Sequence, residues 1–418
     1  HPLFFLEGLL VIARQKKISQ APMLDRIAGI KESLRAAGDE AQGLRHLPAW
    51  ASKEMADIGL YRYALPNELG GENLNARQQI EIIEAVAAID GSVGWCVQIS
   101  SEINALVIRQ MSEALAIEIF DDWYSLVCSG HGPANGENPG REATRDGDGW
   151  RINYQGSFAS GCQNANWNYL MGAMTVDPTT GQPAQASFMV PVGEFEIVDT
   201  WDTAGMRGSG SHDVRMTDCY VPPEHLLPFQ SLAPSRLWDN PTYRNPTHAI
   251  YNKSAVALGV CRGAIDTFIE LAMKKTPWGM SSSLKDQPQI HYRIGEAQAK
   301  LMSARALVME TQEALEKNLG PSASDGGRMS PEWEYYWPAI LACAHSAQTC
   351  REIVSTINNA AGTTGSRMDS PLERQLRDAH QAANHALISY RHYEEIGRTF
   401  FGHEPDKRFI ALAREYES

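Results

Sequence analysis

The chain lacks paired cysteines: Cys96, Cys128, Cys162, Cys219, Cys261, Cys343 and Cys350 are odd in number and form no C-x-x-C motif. That pattern argues against a zinc ribbon or a disulfide framework and fits reduced, packed thiols in a cytoplasmic protein. No stretch reaches the roughly 18 consecutive apolar residues that a membrane span needs. Positive charge is short as well, with 37 Lys and Arg against 50 Asp and Glu, a formal net charge of −13. A protein that wraps nucleic acid needs the opposite balance, because its cations replace the counterions of the phosphates. Three familiar site signatures are also missing: there is no G-x-G-x-x-G opening a helix after a strand, no G-x-x-x-x-G-K-[ST] and no H-E-x-x-H. A nicotinamide-binding Rossmann domain, a P-loop and a zincin site are therefore poor readings.

What is present is ordinary globular material. The 418 residues are 43% hydrophobic and 21% charged, which argues against disorder and against collagen-like repeats. The length suggests two or three modules or one large composite domain. The opening HPLFFLEGLLVIARQKK is greasy but is interrupted by Glu7, with no basic region before it. It reads as a trimmed or appended terminus, not a signal peptide.

Three compositional zones follow one another. Over residues 1–123, and clearly from Ala21 to Trp123, apolar residues recur at helical spacing, as at Ile80, Ile83 and Ala87 or at Leu115 and Ile119. This predicts a helical domain. Over 124–230 the texture changes to short runs rich in β-branched and aromatic residues (WRINYQGSF, YLMGAMTV, ASFMVPV, VRMTDCYV) between Gly, Asp, Pro and Thr turns. Such a pattern predicts an antiparallel barrel or sandwich. Over 231–418 long helical patterns return, predicting a second helical bundle. The order α, β, α makes the protein α+β and creates a cleft where the three modules meet, a preferred place for a ligand.

Several local strings, in this order, resemble the acyl-CoA dehydrogenase superfamily: LPNELGGENLNA, AAIDGSVGWCV, CSGHGPANG, GSFASGC, WDTAGMRGSGSHDVRMTDCYVPPEHL and GTTGSRMDSPLERQLRDAH. The resemblance runs from about Asp25 onward. It implies an N-terminal helical domain, a middle β domain and a C-terminal four-helix bundle, with flavin in the cleft of a homotetramer.

The residues then discriminate between branches. The dehydrogenases remove an α-proton with a glutamate shortly after an R-D pair, but Arg377–Asp378 is followed by AHQAANHALISY, with His385 and Ala386 at the matching positions. The other place for that base, in NKSAVALGVCRG, holds no Glu either. Without a carboxylate, proton abstraction from a thioester has no acceptor. A histidine there resembles the flavin-dependent monooxygenases of the same fold, the oxygenase components of two-component systems. That resemblance implies reduced FMN or FAD delivered by a separate NAD(P)H-dependent flavin reductase, O₂ as co-substrate, a C4a-hydroperoxide, and hydroxylation of an aromatic or heteroaromatic small molecule. Two alternatives stand beside it: a dehydrogenase or oxidase with a displaced base, and a catalytically silent flavin-fold scaffold.

The same resemblance supplies candidate residues. His385, expected on a helix facing the cleft, is suited to proton transfer because imidazole titrates near neutrality; the competing reading is an ordinary packed histidine. His380, five residues earlier and about 140° around a helix, is read as structural, so no metal pair is expected. His131 is a candidate flavin or substrate contact, and Ser160 a hydroxyl near flavin N5. Ser100, Trp95 and Tyr251 are candidates for the substrate pocket, with Trp238 and Tyr243 as further aromatic walls. Arg207, Ser209 and Ser211 are candidates for a flavin loop. Asn359, Gly362 and Gly365 match a family string that meets the flavin nucleotide, with Thr363 replacing one glycine and Asn359 a glutamine. Lys274 stands where an arginine often binds the pyrophosphate, losing the bidentate geometry. These departures fit a loosely held, diffusible flavin.

Overall fold

The structure is a computed structural model that describes residues 21–130, 140–227, 240–319 and 333–404. Its first part is helical: α1 Met23–Gly29, α2 Lys31–Leu44, α3 Ala49–Asp57, α4 Ala76–Ile89, α5 Gly91–Ile108 and α6 Glu113–Phe120. The starts of the last three are written in the sequence. Asn75 accepts from Gln78 N at 3.0 Å while Gln78 Oε1 accepts from Asn75 N at 3.1 Å, a reciprocal cap. Asp90 Oδ1 accepts from Val93 N at 3.0 Å and Ser112 Oγ from Leu115 N at 3.2 Å. Every residue of α5 except Leu106 is buried. A helix apolar nearly all round is one that other elements enclose.

The middle part is an eight-stranded sheet with the path β6-β7-β3-β2-β4-β5-β8 and β1 attached to β4. Its strands are β1 Val127–Cys128, β2 Arg141–Asp146, β3 Gly149–Ala159, β4 Trp167–Val176, β5 Pro183–Pro191, β6 Glu196–Val198, β7 His212–Val221 and β8 Leu226–Leu227. Most pairings are antiparallel, as the short, turn-separated runs predict, but β1 and β2 each pair with β4 in parallel. Trp150, Ile152 and Tyr154 alternate inward along β3, and Trp150 meets Phe188 edge-on at 5.7 Å.

The last part comprises α7 Pro241–Arg244, α8 His248–Lys274, α9 Pro288–Lys317, α10 Trp333–Ala361, α11 Pro371–Ala383 and α12 Arg391–Gly397. Helices α8 to α11 form the bundle, and α8 also lies along α4 and α5. Glycine makes that approach close. A Cβ at Gly263 would sit 2.3 Å from the Ala88 carbonyl oxygen and one at Gly259 2.5 Å from that of Glu84. The three parts thus share one surface, with α5 in the middle.

Candidate active site

Three residues predicted from separate strings converge. Trp95 lies in the first turns of α5, Ser160 just past the end of β3 and His385 just past the end of α11. The Trp95 indole N–H donates to Ser160 Oγ at 3.1 Å, and the Trp95 and His385 rings pack at 5.5 Å between centroids, tilted by 56°. One helical layer, the sheet and the bundle each contribute one side chain. Trp95 and Ser160 are buried, while His385 is half-buried.

Ser160 heads a chain of hydroxyls. Its Oγ lies 2.6 Å from Ser211 Oγ, which lies 2.7 Å from Ser209 Oγ. The indole N–H and three O–H groups bring four protons, and these contacts consume three. One O–H is therefore left to donate outside the chain, at Ser160, Ser211 or Ser209. A donor held in a buried site is what an acceptor nitrogen of a planar cofactor would use.

The backbone around these serines is strained. Phe158, two residues before Ser160, has φ 63°, and Met206, before the turn that carries Ser209, has φ 54°. Left-handed backbone is uncommon for bulky residues and clusters at functional sites. Phe158 is 61% exposed and meets Trp201 edge-on at 6.3 Å. Together with the spare hydroxyl proton, this aromatic edge fits an isoalloxazine ring, so Ser160, Ser209, Ser211 and Phe158 are the residues that would hold a flavin.

His385 departs from the expected setting. Helix α11 stops at Ala383, and His385, with ψ 133°, caps the short 3₁₀ turn Ala386–Ile388. Its Nδ1 accepts from Leu387 N at 3.2 Å. That contact places the proton of the neutral ring on Nε2, which makes Nε2 the ring's donor. His380 is exposed and bonds Ser355 Oγ at 3.0 Å, away from this cluster.

Other predicted residues lie elsewhere. Ser100 is buried in α5 but about 140° around the helix from Trp95. Tyr251 is fully buried in α8, stacked edge-on against His248 at 5.3 Å, and Tyr243 donates to the Ala64 carbonyl at 2.7 Å. Arg207 spends its guanidinium on Asp202, the Thr203 carbonyl and the Gln42 carbonyl, which pins the serine turn to α2. Asn359 and Gly362 are exposed at the end of α10, and Lys274 is exposed at the end of α8. It is the next residue, Lys275, that reaches this segment, donating to the Ala361 carbonyl at 2.6 Å and to Thr364 Oγ1 at 2.7 Å. His131 and Trp238 lie outside the described residues.

Sequence reading also missed a buried polar layer where α8 meets α4 and α5. Lys253 Nζ pairs with Glu102, and the two side chains are 2% and 9% exposed. His248 Nε2 donates to Gln79 Oε1 at 3.1 Å and lies beside the Asn252 side-chain amide. Burial, with Arg109 and Lys253 nearby, pushes His248 down to about 3, so it is neutral. The signal was a charge inside an apolar helical run, NKSAVALGV; the partner, far away in the chain, left none.

Comparison with known proteins matches this picture. The family profiles "Acyl-CoA dehydrogenase, N-terminal domain" and "Acyl-CoA dehydrogenase, C-terminal domain" match residues 27–116 and 251–390. The chain belongs to the acyl-CoA dehydrogenase superfamily. It is 26% identical over 382 residues to the indole-3-acetate monooxygenase of Acinetobacter baumannii, covering 90% of this chain and 93% of the relative. It is also 26% identical over 401 residues to the flavin-dependent monooxygenase, oxygenase subunit HsaA, of Rhodococcus jostii, covering 91% and 98%. Among solved structures, XiaF from Streptomyces sp. in complex with FADH2 and glycerol superposes with a TM-score of 0.79 at 21% identity, covering 96% of this chain and 98% of that one. The superfamily member described here shares the fold of that solved structure. No helix among its described residues is long and apolar enough to cross a membrane.

Proposed function

We propose that this chain is the oxygenase component of a two-component monooxygenase that hydroxylates an aromatic or heteroaromatic small molecule. Reduced FMN or FAD comes from an NAD(P)H-dependent flavin reductase, and the working form is a cytoplasmic homotetramer. The observation that carries this reading is the convergence of His385, Trp95 and Ser160 from three parts of the chain. Bound reduced flavin supplies the two electrons with which O₂ is split between the hydroxylated product and water.

The residues of the chain do the rest. When Ser209 donates to Ser211 and Ser211 to Ser160, the spare proton lies on Ser160, which donates it to the flavin edge and holds it in place. His385 donates from Nε2 to the substrate oxygen or nitrogen and stabilises its negative charge as the ring becomes electron-rich. Trp95 walls the site and fixes both neighbours. Diffusible flavin agrees with the absence of an arginine at Lys274. The dehydrogenase reading requires a free carboxylate, and Glu102, which shares the Trp95 face of α5, is tied to Lys253.

Purified protein given reduced FMN and air with a phenol or indole should form hydroxylated product, and His385→Ala should form hydrogen peroxide in its place. Product formation unchanged by His385→Ala would overturn the assignment. Bleaching of a tightly bound yellow FAD by an acyl-CoA would favour the dehydrogenase.

A further inference from the structure

Beside the hydroxyl chain stands a histidine that the mechanism does not use. His212 opens β7 and pairs in register with Ala159, the last residue of β3. Ser211, the residue before it, bonds Ser160, while the His212 ring meets the turn after β6. That ring is 3% exposed, and its Nδ1 has three polar neighbours: Thr200 N and Trp201 N at 3.1 Å each and Asp199 Oδ1 at 3.2 Å.

One nitrogen cannot satisfy all three at once. A neutral ring with its proton on Nε2 uses the Nδ1 lone pair to accept from the two amides. The Asp199 carboxylate, 66% exposed, is then held by solvent and by Arg45, which donates to Oδ2 at 2.6 Å. A protonated ring must donate from Nδ1, and of the three neighbours Asp199 alone can accept, so both amides lose their partner. Burial holds His212 below the ordinary imidazole range, against the pull of Asp199. Arg45 and His46, just past the end of α2, are the other charged or titratable groups that face it among the described residues.

The amides concerned belong to the wall of the candidate site. The Trp201 ring meets Phe158 edge-on at 6.3 Å, and its indole N–H donates to the Met206 carbonyl at 3.0 Å. Its backbone is fixed at the N–H by His212 and at the carbonyl by Arg45 Nη1 at 3.1 Å. Beside it, the Thr200 hydroxyl donates to Asp213 Oδ1 at 3.0 Å. Trp201 thus spans from Phe158 to the turn that carries Ser209, both of which would hold a flavin.

We propose that His212 is a positioning residue for the flavin wall: the neutral ring gathers the Thr200 and Trp201 amides and seats Trp201 between Phe158 and Met206, and a proton on Nδ1 turns the ring's bond to Asp199 and releases that seat. Flavin binding therefore weakens in acid, because only chains with a neutral ring are competent. This inference rests on the reading of Ser160, Ser209, Ser211 and Phe158 as flavin residues, and it adds a residue that acts through Trp201.

Titration of the full chain with oxidised FMN, followed by flavin fluorescence at pH 7.5 and at pH 5, tests it. The FMN phosphate titrates in that range too, so each variant is read as its affinity relative to the wild type, in which the phosphate cancels. In His212→Asn, Oδ1 takes the place of Nδ1 as acceptor and cannot be protonated. Its affinity relative to the wild type should rise about three-fold or more from pH 7.5 to pH 5. Asp199→Asn, at an exposed position, removes the anion that favours the protonated ring, and its relative affinity should rise in the same direction.

A relative affinity that stays flat with pH in either variant overturns the proposal, as does one that falls. Should His212→Asn fail to fold, Asp199→Asn decides alone. Failure of the wild-type chain to bind FMN at pH 7.5 sinks the monooxygenase reading and the proposal with it, whereas flavin that binds with no pH-dependent difference between the proteins overturns the proposal only.

Discussion

The Asp378 carboxylate of α11 accepts a hydrogen bond from Met206 N at 2.6 Å, tying the helix that leads to His385 to the turn that carries Ser209 and Ser211. Burial, with Asp90 alongside, pushes Asp378 up to about 7, against the pull of Arg374 and Arg377. Its unfolded value lies near 3.9. Between those values the native state holds a proton that the unfolded state has lost, so this group makes stability fall as pH rises from about 4 to about 7, and level off above. Asp378→Asn keeps an acceptor for Met206 and removes the titration. Melting temperatures between pH 5 and 8 should fall less steeply in Asp378→Asn than in the wild type; an identical slope would assign the pH dependence elsewhere.

His385 gives a second test, because its Nδ1 is occupied by the Leu387 N–H. A ring that works as an N–H donor is better replaced by an amide than by a carboxylate. His385→Ala should lower hydroxylation about 100-fold or more, while reduced-flavin affinity changes less than about three-fold. His385→Gln should retain more activity than His385→Glu. The reverse ranking would make the ring a base and contradict the tautomer.

Ser160→Ala removes the head of the hydroxyl chain and leaves the Trp95 N–H without its acceptor. The expected result is uncoupling: reduced flavin is consumed at a similar rate, but more of the oxygen leaves as hydrogen peroxide. Trp95→Phe should do the same more weakly, since the serine chain keeps its other contacts. Product and peroxide yields per reduced flavin decide this, and unchanged coupling in both variants would remove Ser160 from the flavin edge.

Breaking the buried pair should be costly. Glu102→Gln leaves the Lys253 ammonium uncompensated in the interior, which generally costs about 3–5 kcal/mol. Glu102→Leu combined with Lys253→Met should recover much of that loss. Denaturant midpoints of the two variants provide the comparison, and a double variant no better than the single would show that the pair stabilises in its own right.

Gly263→Ala probes the α8–α4 contact. Its methyl would collide with the Ala88 carbonyl, a backbone atom that cannot swing away. The expected loss is about 1–3 kcal/mol, seen as a lower melting temperature. A neutral result would show that α8 can shift.

The chain order of helices, strands and helices was legible because periodicity is a local property: Ile80, Ile83 and Ala87 line one face of α4, and Trp150, Ile152 and Tyr154 one face of β3. Trp95, Ser160 and His385 were legible through the strings that surround them. The setting of His385 was not, because the pattern of α11 continues past Ala383 and only the cap formed with Leu387 ends it. Arg207 was recognisable as a loop residue, but its ties to Asp202, Thr203 and Gln42 depend on how the turn meets α2. Lys253 and Glu102, 151 residues apart, meet only once α5 and α8 have packed. Contacts that join distant segments leave no trace in spacing, and the polar part of this site is made of such contacts.

Because α5 is enclosed on nearly every side, with residues from all three parts of the chain against it, neither the first helices nor the bundle possesses a hydrophobic core complete without it. Cooperativity follows from that sharing. Denaturant should melt the three regions in a single transition, with tryptophan fluorescence and backbone dichroism tracing the same curve. Fragments cut at the joints between the zones should fail to fold alone and should recover structure only when mixed.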